Sequence, residues 1–262
     1  LAPTSFFPLV AGAADERQIA RLIDEHLLDE REFWGEHVLP AVTRDDPAFA
    51  DNVYWRGRVW PPLNTLVYYG LRRVGRDDVA AELARRSHAT FRKGWERDRQ
   101  CGENFSAVSG EILDQPDTDP FYAWGALMAY LAVADIVDVD PWNGWTIANR
   151  GIDVRVGPLR VPGGRGTVTV HDGRLTVERD GQALFTTDRQ GRFRGIEWTD
   201  GRISLIAPPG DGRATLALPG IAPGRVTRAM VEGAAVRLDD HAAVATLALP
   251  PRGGRIDVVW SI

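Results

Sequence analysis

Three stretches of this 262-residue chain carry side chains able to do chemistry. The first is Tyr54-Trp55-Arg56-Gly57-Arg58-Val59-Trp60-Pro61-Pro62-Leu63-Asn64, which sets two tryptophans, an arginine and an asparagine at or just before a helix start. A sugar ring offers C–H faces to an aromatic plane and hydroxyls to planar donors and acceptors. Trp55, Trp60, Arg56 and Asn64 supply both, although tryptophans at a helix junction also serve simply as packing. The second is Gly102-Glu103-Asn104-Phe105, followed by Ser109-Gly110-Glu111. A carboxylate in a loop facing a cleft activates water as a general base. An isolated glutamate is otherwise solvated surface. The third is Phe121-Tyr122-Ala123-Trp124-Gly125-Ala126-Leu127, the aromatic start of a buried helix, in which Trp124 is placed to wall a pocket.

The elements that must position these residues divide into two kinds. Residues 1–150 hold seven of the nine tryptophans, and residues 151–262 hold 17 of the 27 glycines. In the first half, Ile19, Leu22, Ile23 and Leu27 recur at helical spacing. A second helix follows Pro61-Pro62, with Leu63, Leu66, Val67, Leu71 and Val74 on one face. A third runs from about Asp77 to Asp98, using Val79, Leu83, Phe91 and Trp95, and a fourth starts after Asp119-Pro120. The irregular stretch from Arg99 to Asp119 is long enough to suggest a functional loop. In the second half the period drops to two: Thr167-Val168-Thr169-Val170 alternates, as do Leu175 and Val177. Asp172-Gly173, Asp180-Gly181, Asp200-Gly201 and Asp211-Gly212 supply hairpin signals. This rhythm predicts an antiparallel β-sandwich, with the boundary in Trp145–Gly166.

Composition removes several classes. With 44% hydrophobic and 26% charged residues, the chain is neither disordered nor collagen-like. A net charge of -5 leaves no basic footprint for nucleic acid and no polybasic patch for a membrane surface, and no apolar run is long enough to span one. Cys101 is the only cysteine, and the five histidines follow no ligand spacing, so neither a disulfide nor a metal or other cofactor is expected. The chain opens Leu1-Ala2-Pro3 without a Met or a signal peptide, so a cut precursor or one piece of a longer polypeptide is expected. Abundant arginine, alanine and glycine suggest a GC-rich bacterial coding sequence.

The order of these segments resembles the C-terminal part of the catalytic domain in the mannosyl-oligosaccharide glucosidase family (glycoside hydrolase family 63-like), and more distantly the trehalases. The resemblance rests on aromatic-Trp-Arg-Gly…Trp-Pro…Asn, two helices, Glu-Asn-aromatic with a following Gly-Glu, then an aromatic-Trp-Gly helix. The opening Pro3-Thr4-Ser5-Phe6-Phe7-Pro8-Leu9 with Ala11-Gly12 is similar to a barrel segment of the same relatives. With the β-sandwich that the hairpin rhythm gives for residues 151–262, expected to cover the barrel end, the chain is expected to be α + β in separate domains. The resemblance itself covers about residues 1–145 and implies that residues 1–150 are the C-terminal part of an (α/α)6 toroid. It further implies an inverting, exo-acting α-glycosidase. Glu103 matches the family's general base, with Phe105 in place of the usual tyrosine, and Glu111 is the runner-up. Trp55 and Arg56 match residues near the sugar, with Trp60, Asn64 and Trp124 as further substrate-binding candidates. The general acid lies upstream in the family, and nothing in the context of Asp15, Asp45 or Asp98 marks one of them as the acid. An upstream barrel segment is therefore the expected partner, as a second chain or as the missing part of the same polypeptide. The competing reading is a non-catalytic carbohydrate-binding or scaffold protein on a glycosidase-like fold.

Overall fold

The computed structural model describes residues 1–239 and 242–261. The chain forms two compact units, Leu1–Asp135 and Ile136–Ile262. The division falls ahead of the expected Trp145–Gly166 boundary because Val137–Asp140 and Gly144–Asn149 already pair as a β-hairpin.

The first unit is helical. A 3-10 turn, Pro3–Phe6, leads into α1 (Phe7–Ala11), which stops at Gly12 in the left-handed conformation. α2 (Glu16–Ala20) starts on a capping box: the Gln18 amide N–H donates to Asp15 Oδ1 at 2.8 Å, and the Asp15 N–H donates to Gln18 Oε1 at 2.9 Å. It continues as a π-helical stretch, Arg21–Leu27, that buries Ile23 and Leu27. α3 (Pro61–Arg73) begins on two prolines, whose missing N–H groups cost nothing at a helix start. α4 (Asp77–Asp98) has the length the periodicity predicts, and α5 (Ala126–Ile136) follows a 3-10 turn, Ala123–Gly125. α5 starts later than the sequence suggests because Phe121 and Tyr122 stay extended. Phe121 forms a bridge to Cys101, and the Tyr122 N–H donates to the Cys101 carbonyl at 2.8 Å.

α3 packs against α1 and α4 over a core that includes Phe6, Leu9, Phe33, Val67, Leu71 and Leu83. Gly70 permits the α1–α3 approach: a Cβ there would lie 3.0 Å from the Leu9 Cβ. The predicted faces are partly wrong. Leu66 and Trp95 are exposed, while Tyr68 and Arg72 are buried. α4 is tied to the preceding segment through Arg86, which donates to the Gly35 carbonyl and lies over the Trp34 ring at 4.8 Å, while Glu82 within the helix accepts from Arg85 and Arg86.

The second unit consists of two large antiparallel sheets. Its strands are β3 (Val137–Asp140), β4 (Gly144–Asn149), β5 (Val154–Val161), β6 (Gly164–His171), β7 (Arg174–Arg179), β8 (Gln182–Thr187), β9 (Gly191–Thr199), β10 (Arg202–Ala207), β11 (Ala214–Leu218), β12 (Val226–Val231), β13 (Ala234–Ala235), β14 (Ala245–Leu249) and β15 (Gly254–Trp260). They follow two short strands of the first unit, β1 (Arg58–Val59) and β2 (Phe105–Ser106). One sheet runs β13-β12-β15-β10-β9-β4-β3 and the other β14-β11-β8-β7-β6-β5. Their inner faces meet where Phe185 of β8 and Phe193 of β9 lie with ring centroids 5.9 Å apart. Asp172-Gly173 and Asp180-Gly181 both take positive φ at their two positions, as two-residue hairpins require. Asp211-Gly212 is different. It lies on the connection from β10 in one sheet to β11 in the other, so it turns the chain without forming a hairpin.

The Glu82 fork makes acid stability measurable. Hydrogen bonds from Arg85, then Arg86, lower the Glu82 pKa from 4.5 to about 2. A carboxylate depressed in the folded state contributes stability that is present above its unfolded pKa and lost as pH falls through the folded one. Glu82→Gln should therefore lower the chain's stability at neutral pH and flatten its loss between pH 4.5 and about 2, as followed by urea denaturation across that window.

Candidate active site

The site is assembled by a short pairing. β1 and β2 run antiparallel, Arg58 opposite Ser106 and Val59 opposite Phe105, which sets the tryptophan segment beside the Glu103 loop. Gly57 makes the approach to β1 possible. It has φ 91°, and a Cβ there would meet the Phe49 carbonyl oxygen at 2.3 Å. Phe105 is buried with Val59, Ala107, Ile112 and Met128. A phenolic hydroxyl in this apolar cluster would need a partner, which gives phenylalanine a reason to stand here.

Arg58 organises the loop. It is fully buried. Its Nη1 donates to Asp114 Oδ1 at 2.7 Å, its Nη2 to the Ile112 and Glu111 carbonyls at 2.9 and 3.2 Å, and its Nε to Asn104 Oδ1. Asn104 also accepts from the Thr118 hydroxyl at 3.1 Å, and its Nδ2 donates to Glu103 Oε2 at 3.4 Å. The sequence reading chose Arg56 and passed over Arg58.

Glu103 is half-buried. Its backbone is held from both sides: its N–H donates to the Asp119 carbonyl at 2.8 Å, and its carbonyl accepts from Trp124 Nε1 at 2.7 Å. Among the described residues no cation pairs with its carboxylate. Glu111 contrasts with it. Arg97 grips both of its oxygens, at 2.8 and 2.5 Å, and these hydrogen bonds hold its carboxyl below the usual range. A carboxylate committed to a guanidinium is a poor proton acceptor, which counts against Glu111 as the base.

The aromatic residues form one cluster, joined to the Glu103 loop through Trp124. Trp55 stacks on Trp60 with centroids 3.9 Å apart and planes 12° from parallel. Trp60 meets Trp124 edge-on at 6.0 Å, and Trp124 meets Tyr122 at 4.2 Å. Trp55 is 48% exposed and Trp60 only 1%. The outer indole is thus a flat exposed plane, and the inner one is its support, with Nε1 donating to the Tyr54 carbonyl at 3.0 Å. Trp60 is therefore corrected from a ligand contact to a supporting residue. Arg56 is exposed beside Trp55 in the chain and pairs with Asp51 at 3.1 Å.

Asn64 requires a second correction. It is fully buried in α3. Its Oδ1 accepts from the Leu39 N–H at 3.0 Å, and its Nδ2 donates to the Val38 carbonyl at 2.6 Å and Ser87 Oγ at 2.9 Å. No part of its amide is left for a substrate. The aspartates without context fare similarly: Asp15 caps α2, Asp98 pairs with Arg97 at 2.5 Å, and Asp45 is exposed. For metals, the grouping of ligand-type side chains among the described residues is Asp153, His171 and Asp172 in the second unit. All three are exposed, and hydrogen bonding of His171 Nδ1 to Asp153 at 3.0 Å accounts for their proximity.

Residues 2–125 match the family described as the mannosylglycerate hydrolase MGH1-like glycoside hydrolase domain, a range that contains Trp55, Arg56, Trp60, Asn64, Glu103 and Trp124. This stretch is similar to the MGH1-like glycoside hydrolases. The mannosylglycerate hydrolase of Thermus thermophilus is 29% identical over 127 residues, which is 47% of this chain and 27% of that protein. The mannosylglycerate hydrolase MGH1 of Selaginella moellendorffii is 33% identical over 92 residues, 34% of this chain and 18% of that protein. A crystal structure of the GH63 mannosylglycerate hydrolase from Thermus thermophilus in complex with glucose aligns at 27% identity and a TM-score of 0.42, covering 51% of this chain and 31% of that one. The glycoside-hydrolase resemblance of the helical half is thus supported by the family match and the curated relatives. The chain spans roughly a fifth to a quarter of the length of these curated relatives.

Asn64 separates packing from binding. Asn64→Ala strands the Leu39 N–H and the Val38 carbonyl in the core and should cost about 2–3 kcal/mol of stability. At a temperature where the variant remains folded, its affinity for a sugar should match that of the parent chain. Denaturant titration and calorimetry read the two effects separately.

Proposed function

We propose that the helical unit is the base-bearing segment of an inverting glycoside hydrolase that cleaves an α-glycosidic bond. The observation that carries the reading is the half-buried Glu103, fixed at its backbone by Trp124 and Asp119 and linked through Trp124 and Trp60 to the exposed Trp55 indole. Glu103 would deprotonate a water on one face of the sugar. The oxygen formed attacks the anomeric carbon as the bond to the leaving oxygen breaks, and a carboxylic acid on the opposite face protonates that oxygen. The two carboxyls of such a pair stand about 6.5–9.5 Å apart. Trp55 would receive the apolar face of the terminal sugar, with Trp60 behind it and Trp124 at its edge, and Arg56 would exchange Asp51 for a sugar hydroxyl.

The general acid is assigned to a further segment of an (α/α)6 barrel, carried by the same polypeptide or by a second chain. Asp15 and Asp98 have other partners, which supports seeking it elsewhere. Mannosylglycerate, which names the relatives, is the first substrate to test. The sandwich, residues 151–262 in the sequence reading, would be an accessory domain.

The test assays the chain together with the remaining barrel segment. Glu103→Gln keeps the shape and removes the basicity, and should lower kcat about 10³-fold with little change in KM. Proton NMR of the first-formed sugar should show the anomer opposite to the substrate's. Undiminished turnover in Glu103→Gln would remove the base assignment. Sugar binding without turnover in the parent protein would favour the scaffold reading, for which the exposed Trp55 plane is the supporting observation.

A further inference from the structure

One end of the two-sheet unit holds a cleft of about 770 Å³, within the range of small-molecule sites. It gathers chain turns remote in sequence: Gly163 after β5, Asp180 between β7 and β8, Asp200-Gly201 between β9 and β10, and Pro219-Gly220 after β11. Trp198 and Trp260 form part of its wall, with ring centroids 5.1 Å apart and planes inclined by 50°. Their register matters. Trp198 pairs with Ile203, which pairs with Val258, and the Trp260 N–H donates to the Gly201 carbonyl at 2.9 Å. Strand alternation therefore puts both indoles on the face of the sheet that buries Ile203 and Val258. Both nevertheless remain half-exposed, because the cleft keeps the end of the core open.

The rim is polar and electrically balanced. Arg179 and Arg225 are set against Asp180 and Asp200, with Gln182 beside them. Arg179 Nη1 donates to the Trp198 carbonyl at 3.3 Å, and Arg225 Nη2 to the Ser261 carbonyl at 2.7 Å. Each guanidinium is thus anchored by one donor, and its other N–H groups remain for further acceptors. A cation-rich rim would select a phosphate or nucleic acid. Two guanidiniums balanced by two carboxylates suit a neutral ligand that both accepts and donates, and the inclined indoles suit a ligand with apolar C–H faces. A neutral sugar has both properties.

We propose that this cleft is a carbohydrate-binding site for a neutral sugar or short oligosaccharide, with Trp198 and Trp260 as the stacking surface and Arg179, Gln182, Asp200 and Arg225 as hydroxyl partners. The site rests on the second unit alone and is independent of the catalytic reading. It changes the expectation that residues 151–262 serve only to cover the barrel end.

The experiment follows the indole N–H signals of the full chain by ¹⁵N-correlation NMR during titration with glucose, mannose, maltotriose and mannotriose, with glucose 6-phosphate as the charged comparison. At least one neutral probe should shift the Trp198 and Trp260 signals, more strongly than glucose 6-phosphate does. Trp198→Ala and Trp260→Ala should each weaken that binding about tenfold or more. Trp55→Ala, which removes the exposed indole of the candidate active site, should leave these shifts in place. Gln182→Ala and Asp200→Ala change exposed rim residues and should weaken binding at unchanged thermal stability, which decides the matter if a tryptophan variant unfolds. The proposal is overturned if no neutral probe moves the two signals, if binding survives the tryptophan variants, or if both rim variants bind as the parent does.

Discussion

A buried guanidinium is the constraint on which the candidate site depends. Removing a charge from water costs several kcal/mol, which is tolerable only where a carboxylate and further acceptors surround it. Arg58 meets that condition by drawing in Asp114, two loop carbonyls and Asn104. These partners belong to one irregular loop, so satisfying Arg58 closes that loop over β1. Asn104 is the residue next to Glu103, and the placement of the candidate base follows from the placement of the charge.

The aromatic cluster does the complementary work. Trp124 hydrogen-bonds the Glu103 carbonyl and packs edge-on against Trp60, which in turn supports Trp55. Stacked and edge-on indoles leave few rotamers open, so the exposed plane is held before any ligand arrives. Pre-organised planes of this kind bind without losing side-chain entropy. The cleft in the second unit uses another geometry, two inclined rings on the strands that flank β10, because a sheet sets the spacing of its side chains by register.

Several elements were legible from local pattern alone. α4 spans Asp77–Asp98 as its periodicity indicates, and α3 begins at Pro61. Asp172-Gly173 and Asp180-Gly181 close hairpins, since a residue pair that accepts positive φ is a local property. Other features were not legible. Asn64 looked like a sugar ligand because its amide chemistry suits one, yet the partners that consume it are at Val38, Leu39 and Ser87, far away in the chain. Asp211-Gly212 carries the same local signal as the hairpins, but the sheet to which the next strand belongs is a long-range matter.

The sequence by itself determined the two classes of element, the position of the Glu103 loop and its resemblance to family 63-like glycosidases, because periodicity, turn chemistry and motif order are written in neighbouring residues. Only the tertiary structure decided which of Arg56 and Arg58 is buried, which of Trp55 and Trp60 faces solvent, and that Trp198 meets Trp260. The physical reason is common to all three. Burial, ion pairing and strand register are relations between segments distant in the chain, and a side chain's own type does not say which partner will reach it.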